Sequence, residues 1–134
     1  MARLSDIEGI GPSHATKLAR AGVRSTERLL AVGGTAAGRV QLAEKTGISG
    51  TLILEWVNHA DLFRIKGVGG EYADLLEAAG VDTVPELTAR NAASLTETLV
   101  RTNAQKHLVR AVPGLRRVTG WITQAKSLDR AVRY

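Results

Sequence analysis

Cysteine is absent from this 134-residue chain, which excludes disulfides, thiolate metal sites and cysteine nucleophiles together. Histidine is scarce: His14, His59 and His107 lie far apart in sequence, so neither a metal centre nor a cofactor is expected. Aromatic residues make up 4% of the chain, too few for the stacking platforms that many single-strand nucleic-acid binders use. No stretch approaches the run of about 20 apolar residues that spans a bilayer, and Met1-Ala2-Arg3-Leu4 opens no segment of secretory type. The expectation is a cytoplasmic protein with no membrane partner. No clustered nucleophile, base and orienting group is visible, so no catalytic residues are assigned and no enzyme is expected.

What the chain does have is positive charge, unevenly placed. Eighteen Lys and Arg against thirteen Asp and Glu leave +5, a balance that favours polyanionic partners. Residues 1–64 are close to neutral at +2. Residues 65–100 hold only Lys66 and Arg90 against six carboxylates, and residues 101–134 hold eight basic side chains against Asp129 alone. The middle is acidic and the last quarter basic.

The chain also repeats itself. Shifting it by 58 residues superposes Ile7-Glu8-Gly9-Ile10-Gly11 on Ile65-Lys66-Gly67-Val68-Gly69, Ala15 on Ala73, Leu18 on Leu76 and Ala21-Gly22-Val23 on Ala79-Gly80-Val81. Further on the register slips by seven residues, pairing Trp56-Val57 with Trp121-Ile122, with an insertion around Val109 to Leu115 in the second copy. The division is a first repeat over 4–64, a second over 65–128 and a C-terminal tail over 129–134.

Both copies read as helices, being rich in Ala, Leu, Glu and Arg with apolar residues three and four apart. Gly22 and Gly80 stand where left-handed C-terminal caps belong, with Ser25 and Thr83 placed to cap the next helix. Thr83-Val84-Pro85-Glu86 combines an N-cap, a first-turn proline and a capping-box glutamate. Thr35 caps a helix after the Gly33-Gly34 break, Thr46-Gly47 stops it, and Ser49 starts a long helix reaching about Ile65. Its apolar face is expected to hold Leu52, Ile53, Trp56, Val57 and Ala60. Trp56 and Trp121 are expected to anchor cores.

The segment Ile7 to Ala15 carries the functional signal. It reads as a short helix from Leu4, a two-glycine hairpin and a second helix opening at Pro12. Gly9 and Gly11 allow backbone angles closed to other residues, and Ile10 plugs the turn into the core. Amides exposed at the positive end of the second helix suit a phosphate oxygen. The pattern of hydrophobic-x-Gly-hydrophobic-Gly, with an alanine four residues after the last glycine, resembles the helix-hairpin-helix superfamily in both copies. Over nearly its full length, including the WVxxA segment, the chain is similar to a bacterial family of tandem helix-hairpin-helix units, domain of unknown function 4332. The resemblance implies an all-α fold of two tandem helix-hairpin-helix (SAM-like) repeats packed into one compact body. It also implies backbone contact with DNA that reads no sequence.

Carried over by position, Gly9, Ile10, Gly11, Ser13 and His14 would meet phosphate, with Lys17, Arg20 and Arg24 as charge support. Ser13 and His14 stand where DNA-binding members often place Lys, Arg or Thr. The second hairpin, Gly67-Val68-Gly69, is followed by Glu71 and Asp74, which repel phosphate, so a structural role is expected there. The expected function is a non-enzymatic, sequence-independent nucleic-acid-binding module of low affinity. The alternative is a helical protein-interaction scaffold without nucleic-acid binding, in which the acidic and basic blocks meet partners or each other.

Overall fold

Helix borders in the computed structural model, which describes residues 3–134, fall where the chain supplies caps and left-handed residues. A 3-10 turn, Leu4–Asp6, leads into eight α-helices: α1 Pro12–Arg20, α2 Thr26–Gly33, α3 Ala36–Thr46, α4 Gly50–Leu62, α5 Gly70–Ala78, α6 Val84–Thr88, α7 Ala92–Lys106 and α8 Leu115–Lys126. No strand occurs among the described residues. Ser25, Thr35, Ser49 and Asn91 each accept a first-turn amide through their side chains, satisfying donors that a helix leaves open. Gly47 at φ 72° and His107 at φ 52° close α3 and α7 in the left-handed region.

The 58-residue offset is visible in the backbone. Gly9 and Gly67 take φ 92° and 93°, Gly22 and Gly80 take 87° and 92°, and α1 and α5 share their length. A Cβ on Gly9 would lie 3.4 Å from the Trp56 indole nitrogen, and one on Gly67 would lie 3.3 Å from that of Trp121. The rings beside them also correspond. His14 tilts at 60° against Trp56, with centroids 5.0 Å apart, and Tyr72 tilts at 56° against Trp121 at 5.4 Å. Each tryptophan is buried and closes its hairpin from beneath, a burial whose loss costs about 3–5 kcal/mol.

Two apolar clusters result. One gathers Leu4, Ile7, Ile10, Leu18, Val23, Leu29, Leu42, Ile48, Ile53, Trp56, Val57 and Ala60; the other gathers core residues between Leu62 and Ala125, and Phe63 packs against both. The first cluster has one distant member, Val132. The segment read as a tail therefore packs as a strap. The Arg133 N–H donates to the Gly34 carbonyl at 2.7 Å, and buried Arg39 donates to the carbonyls of Gly33 and Arg133 at 2.9 and 2.8 Å. Gly34 is required by this approach, since a Cβ there would sit 2.5 Å from the Ala131 carbonyl oxygen.

Several local expectations are corrected. Helix α4 stops at Leu62 rather than Ile65, and Leu52 lies at its rim, 36% exposed. Thr83 occupies the N-cap position of α6, but its hydroxyl makes no capping bond. Pro85 removes the second-position donor such a cap would serve. Instead Asp61, fully buried on α4, reaches across 23 residues and accepts the Val84 N–H at 2.8 Å through Oδ2. Its Oδ1 accepts from Arg64 at 2.8 Å, so the buried charge is paired and both oxygens are satisfied. Glu86 accepts from the Asp82 N–H, one residue before the expected capping-box partner.

Candidate nucleic-acid interface

The first hairpin is held from below and open above. Ile10 is buried in the first core, while Gly9, Gly11, Pro12 and Ser13 are exposed. The backbone accounting corrects one expectation: the Ile10 N–H donates to the Ile7 carbonyl at 3.2 Å, so Ile10 supplies packing and no free donor. The first amide of α1 to find a helical acceptor is that of Ala15, bonded to the Gly11 carbonyl at 3.0 Å. Pro12 has no N–H. The amides of Gly11, Ser13 and His14 are left without acceptors among the described residues. They stand at the end of a helix that carries a partial charge of about +0.5.

Beyond this turn, α1 contains no carboxylate, and Lys17, Arg20 and Arg24 are exposed. The His14 ring belongs to the packing against Trp56, and its Nδ1 is buried without a hydrogen-bond partner. The backbone N–H of His14 remains without an acceptor at the head of α1.

At the second hairpin the Val68 N–H is likewise taken, by the Ile65 carbonyl at 3.1 Å. The surroundings differ. Gln124 of α8 clamps the turn, accepting the Lys66 N–H at 2.9 Å and donating to the Lys66 carbonyl at 3.2 Å. Gly70, the first residue of α5, lies so close to the 3-10 turn that a Cβ would come within 2.5 Å of the Asp6 carbonyl oxygen. The turn lines a cleft of about 580 Å³ shared with Asp6 and Glu27. The cleft sets Asp6 and Glu27 against Arg64 and Lys66, and Glu71 in the first turn of α5 opposes an incoming phosphate.

Two members of the basic block of residues 101–134 are placed by their contacts: Lys106 lines a recess with Glu8, next to the first hairpin, and Arg117 stands over Tyr72. Arg117 donates to the Tyr72 hydroxyl at 2.8 Å with its guanidinium 5.5 Å from that ring's centroid, and Tyr72 donates to the Ala111 carbonyl at 3.1 Å. That network sits at the head of α5. Other cations are structural: Arg39 ties the strap, Arg64 holds Asp61 and the Asp129 carbonyl, and Arg130 bonds the Val132 carbonyl.

Between the halves lies a cluster the sequence did not announce. His59, buried on α4, has Nε2 3.0 Å from Asp74 Oδ1 and 2.9 Å from Glu77 Oε2, both on α5, while its Nδ1 lies 3.1 Å from the Glu55 carbonyl oxygen. Burial raises the Asp74 carboxyl above its ordinary range, His59 pulling it back and Glu8 adding to the rise. Burial raises Glu77 too, against the pull of His59. Counted from the two tryptophans, His59 stands where Gln124 stands in the second copy. Instead of clamping its own hairpin, it reaches across to the other half.

The family described as domain of unknown function (DUF4332) matches residues 8–128. The chain belongs to this family. The match spans both hairpins, both tryptophans and the His59 cluster, and stops before the strap that ends in Val132 and Arg133. No curated protein and no solved structure matches the chain. The family's description names no activity. No helix among the described residues is long and apolar enough to cross a membrane.

Proposed function

We propose that this protein is a non-enzymatic, sequence-independent nucleic-acid-binding module of the tandem helix-hairpin-helix type, in which the first hairpin receives a backbone phosphate. The observation that carries the reading is the set of unpartnered amides of Gly11, Ser13 and His14 at the head of a helix without carboxylates. An anionic oxygen placed there completes donors the fold leaves open, and Lys17, Arg20 and Arg24 extend the contact along the strand. None of these groups reads a base edge, so the binding is indifferent to sequence. The second hairpin, clamped by Gln124 and flanked by Glu71 and Asp6, serves the architecture.

The reading fixes magnitudes. A few phosphate contacts give a Kd of about 1–100 µM at physiological salt, falling off with a log-log slope of about −0.9 per phosphate neutralised. Fluorescence anisotropy with a duplex, titrated over salt, tests it. Lys17→Glu combined with Arg20→Glu is expected to weaken binding at least about tenfold and to flatten the salt slope by about 2, whereas Lys66→Glu changes it less than about twofold. A double variant that binds as the parent does removes the first hairpin as the site.

A second reading, a protein-interaction scaffold, is favoured by one observation: Glu8, Asp74 and Glu77 line a common acidic recess, while residues 101–134 are strongly basic. Salt-sensitive oligomers in light scattering, with no mobility shift of DNA, select it.

A further inference from the structure

When both neighbouring carboxyl groups are ionised, the His59 ring meets acceptors only. The Nδ1 atom lies 3.1 Å from the Glu55 carbonyl oxygen, which can only accept, so Nδ1 carries a hydrogen. In the neutral ring the lone pair is then on Nε2. That atom faces Asp74 Oδ1 at 3.0 Å and Glu77 Oε2 at 2.9 Å, and ionised carboxylates are acceptors as well. Three acceptors thus converge with no donor among them, around an imidazole only 6% exposed.

Either a proton, carried by the ring or by a carboxyl group, or a metal ion stands between them. Glu8 brings a third carboxyl group to the recess beside them. Lys106 lines the same recess of about 440 Å³ beside Glu8, Asp74 and Glu77, but no ion pair joins it to them. A divalent ion balances both carboxylates at once. The ligand atoms of His59, Asp74 and Glu77 all lie within 4.8 Å of one another, so the three side chains can gather round one ion. The Nδ1–H bond to a backbone carbonyl is the outer contact that orients metal-bound imidazoles. Asp74 and Glu77, three apart on α5, present their carboxylates from one helical face.

We propose that His59, Asp74 and Glu77 form a binding site for a divalent transition-metal ion of the zinc class, open on the side of the recess where water or Glu8 completes the coordination. One imidazole with two carboxylates selects such an ion over calcium or magnesium, which take oxygen ligands only. The site links α4 to α5 and is independent of the nucleic-acid reading, since it uses none of the first hairpin's amides or cations.

The test is calorimetric titration of the chelator-treated full chain with zinc chloride alone at pH 7, with calcium chloride in parallel. One zinc per chain is expected with a Kd of about 1–100 µM, together with weakening by at least about tenfold in Asp74→Asn and Glu77→Gln and by more in His59→Gln. Glu44→Gln, at an exposed position on α3, leaves the affinity unchanged. Thermal melts of the metal-free variants check folding, and the partly exposed Glu77→Gln keeps the test decisive where His59→Gln unfolds. In histidine NMR spectra zinc is expected to shift the His59 ring while its Nδ1–H persists. Failure of the parent to take up zinc at about 1 mM, equal affinity for calcium, or full affinity in Glu77→Gln overturns the site.

Discussion

At Gly9 and at Gly67 the chain takes the same positive φ against the indole nitrogen of a tryptophan, yet the helices that follow open as Pro12-Ser13-His14 and as Gly70-Glu71-Tyr72. The shared part is what the turn needs in order to form: a left-handed glycine, a buried aliphatic plug and an aromatic floor. The part that differs is what the turn can meet. Pro12 leaves α1 open to solvent, whereas Gly70 exists so that α5 can press on the Asp6 carbonyl. Gln124 ties its own hairpin while His59, at the matching place, turns to the opposite half. Two turns with the same backbone angles thus differ in their surroundings: no carboxylate follows in α1, whereas Glu71 follows in α5 and Gly70 abuts the Asp6 carbonyl.

The asymmetry can be broken from the outside in. Removing residues 131–134 strips Val132 from the first core and leaves the Arg39 guanidinium with half its acceptors, so a loss of about 3–5 kcal/mol is expected in urea denaturation. A loss below about 0.5 kcal/mol means that the strap does not close the first half. Asp61→Ala frees the Arg64 charge and the buried Val84 N–H, at an expected cost of about 2–4 kcal/mol. Gly9→Ala and Gly67→Ala test the equivalence itself. Each forces a Cβ into positive φ beside an indole nitrogen, and each is expected to cost about 1–3 kcal/mol, with the two values within about 1 kcal/mol of each other. Unequal costs mean that the turns are held differently despite matching angles.

The smallest effect concerns pH. Burial, then repulsion from Glu86, raises the Asp82 carboxyl above its ordinary value, so the folded state holds that proton more firmly than the unfolded chain does. This group therefore contributes destabilisation that is absent below its unfolded pKa and grows as pH rises through the folded value. Asp82→Asn is expected to stabilise the protein at pH 7 by less than about 1 kcal/mol, given solvent screening, and by nothing near pH 3. Denaturation midpoints of parent and variant across pH 3–7 check this; a gap that widens toward acid contradicts it.

Much of the fold was legible because its determinants are local. Ser25, Thr35 and Ser49 cap helices from the positions their types predict, and Gly22, Gly47 and Gly80 end them in left-handed conformations. The two tryptophans disclosed the cores through their shared surroundings. What stayed hidden depends on pairs distant in sequence: Asp61 with Val84, His59 with Asp74, Arg39 with Arg133. Each is a polar side chain whose partner is defined only once helices have packed, and composition holds no trace of that. Ile10 was misjudged for another reason: an apolar residue whose amide closes a tight turn looks, in sequence, the same as one whose amide is spare. One clue to the His59 cluster was available, since aligning the tryptophans sets a histidine against Gln124 where a duplicated turn would reuse one residue.

The strap also bears on how the chain is made. Core residues of the second half lie between Leu62 and Ala125, so they are all translated before Val132, which the first half requires to complete its own. The first half therefore completes its packing only after the core residues of the second have been joined.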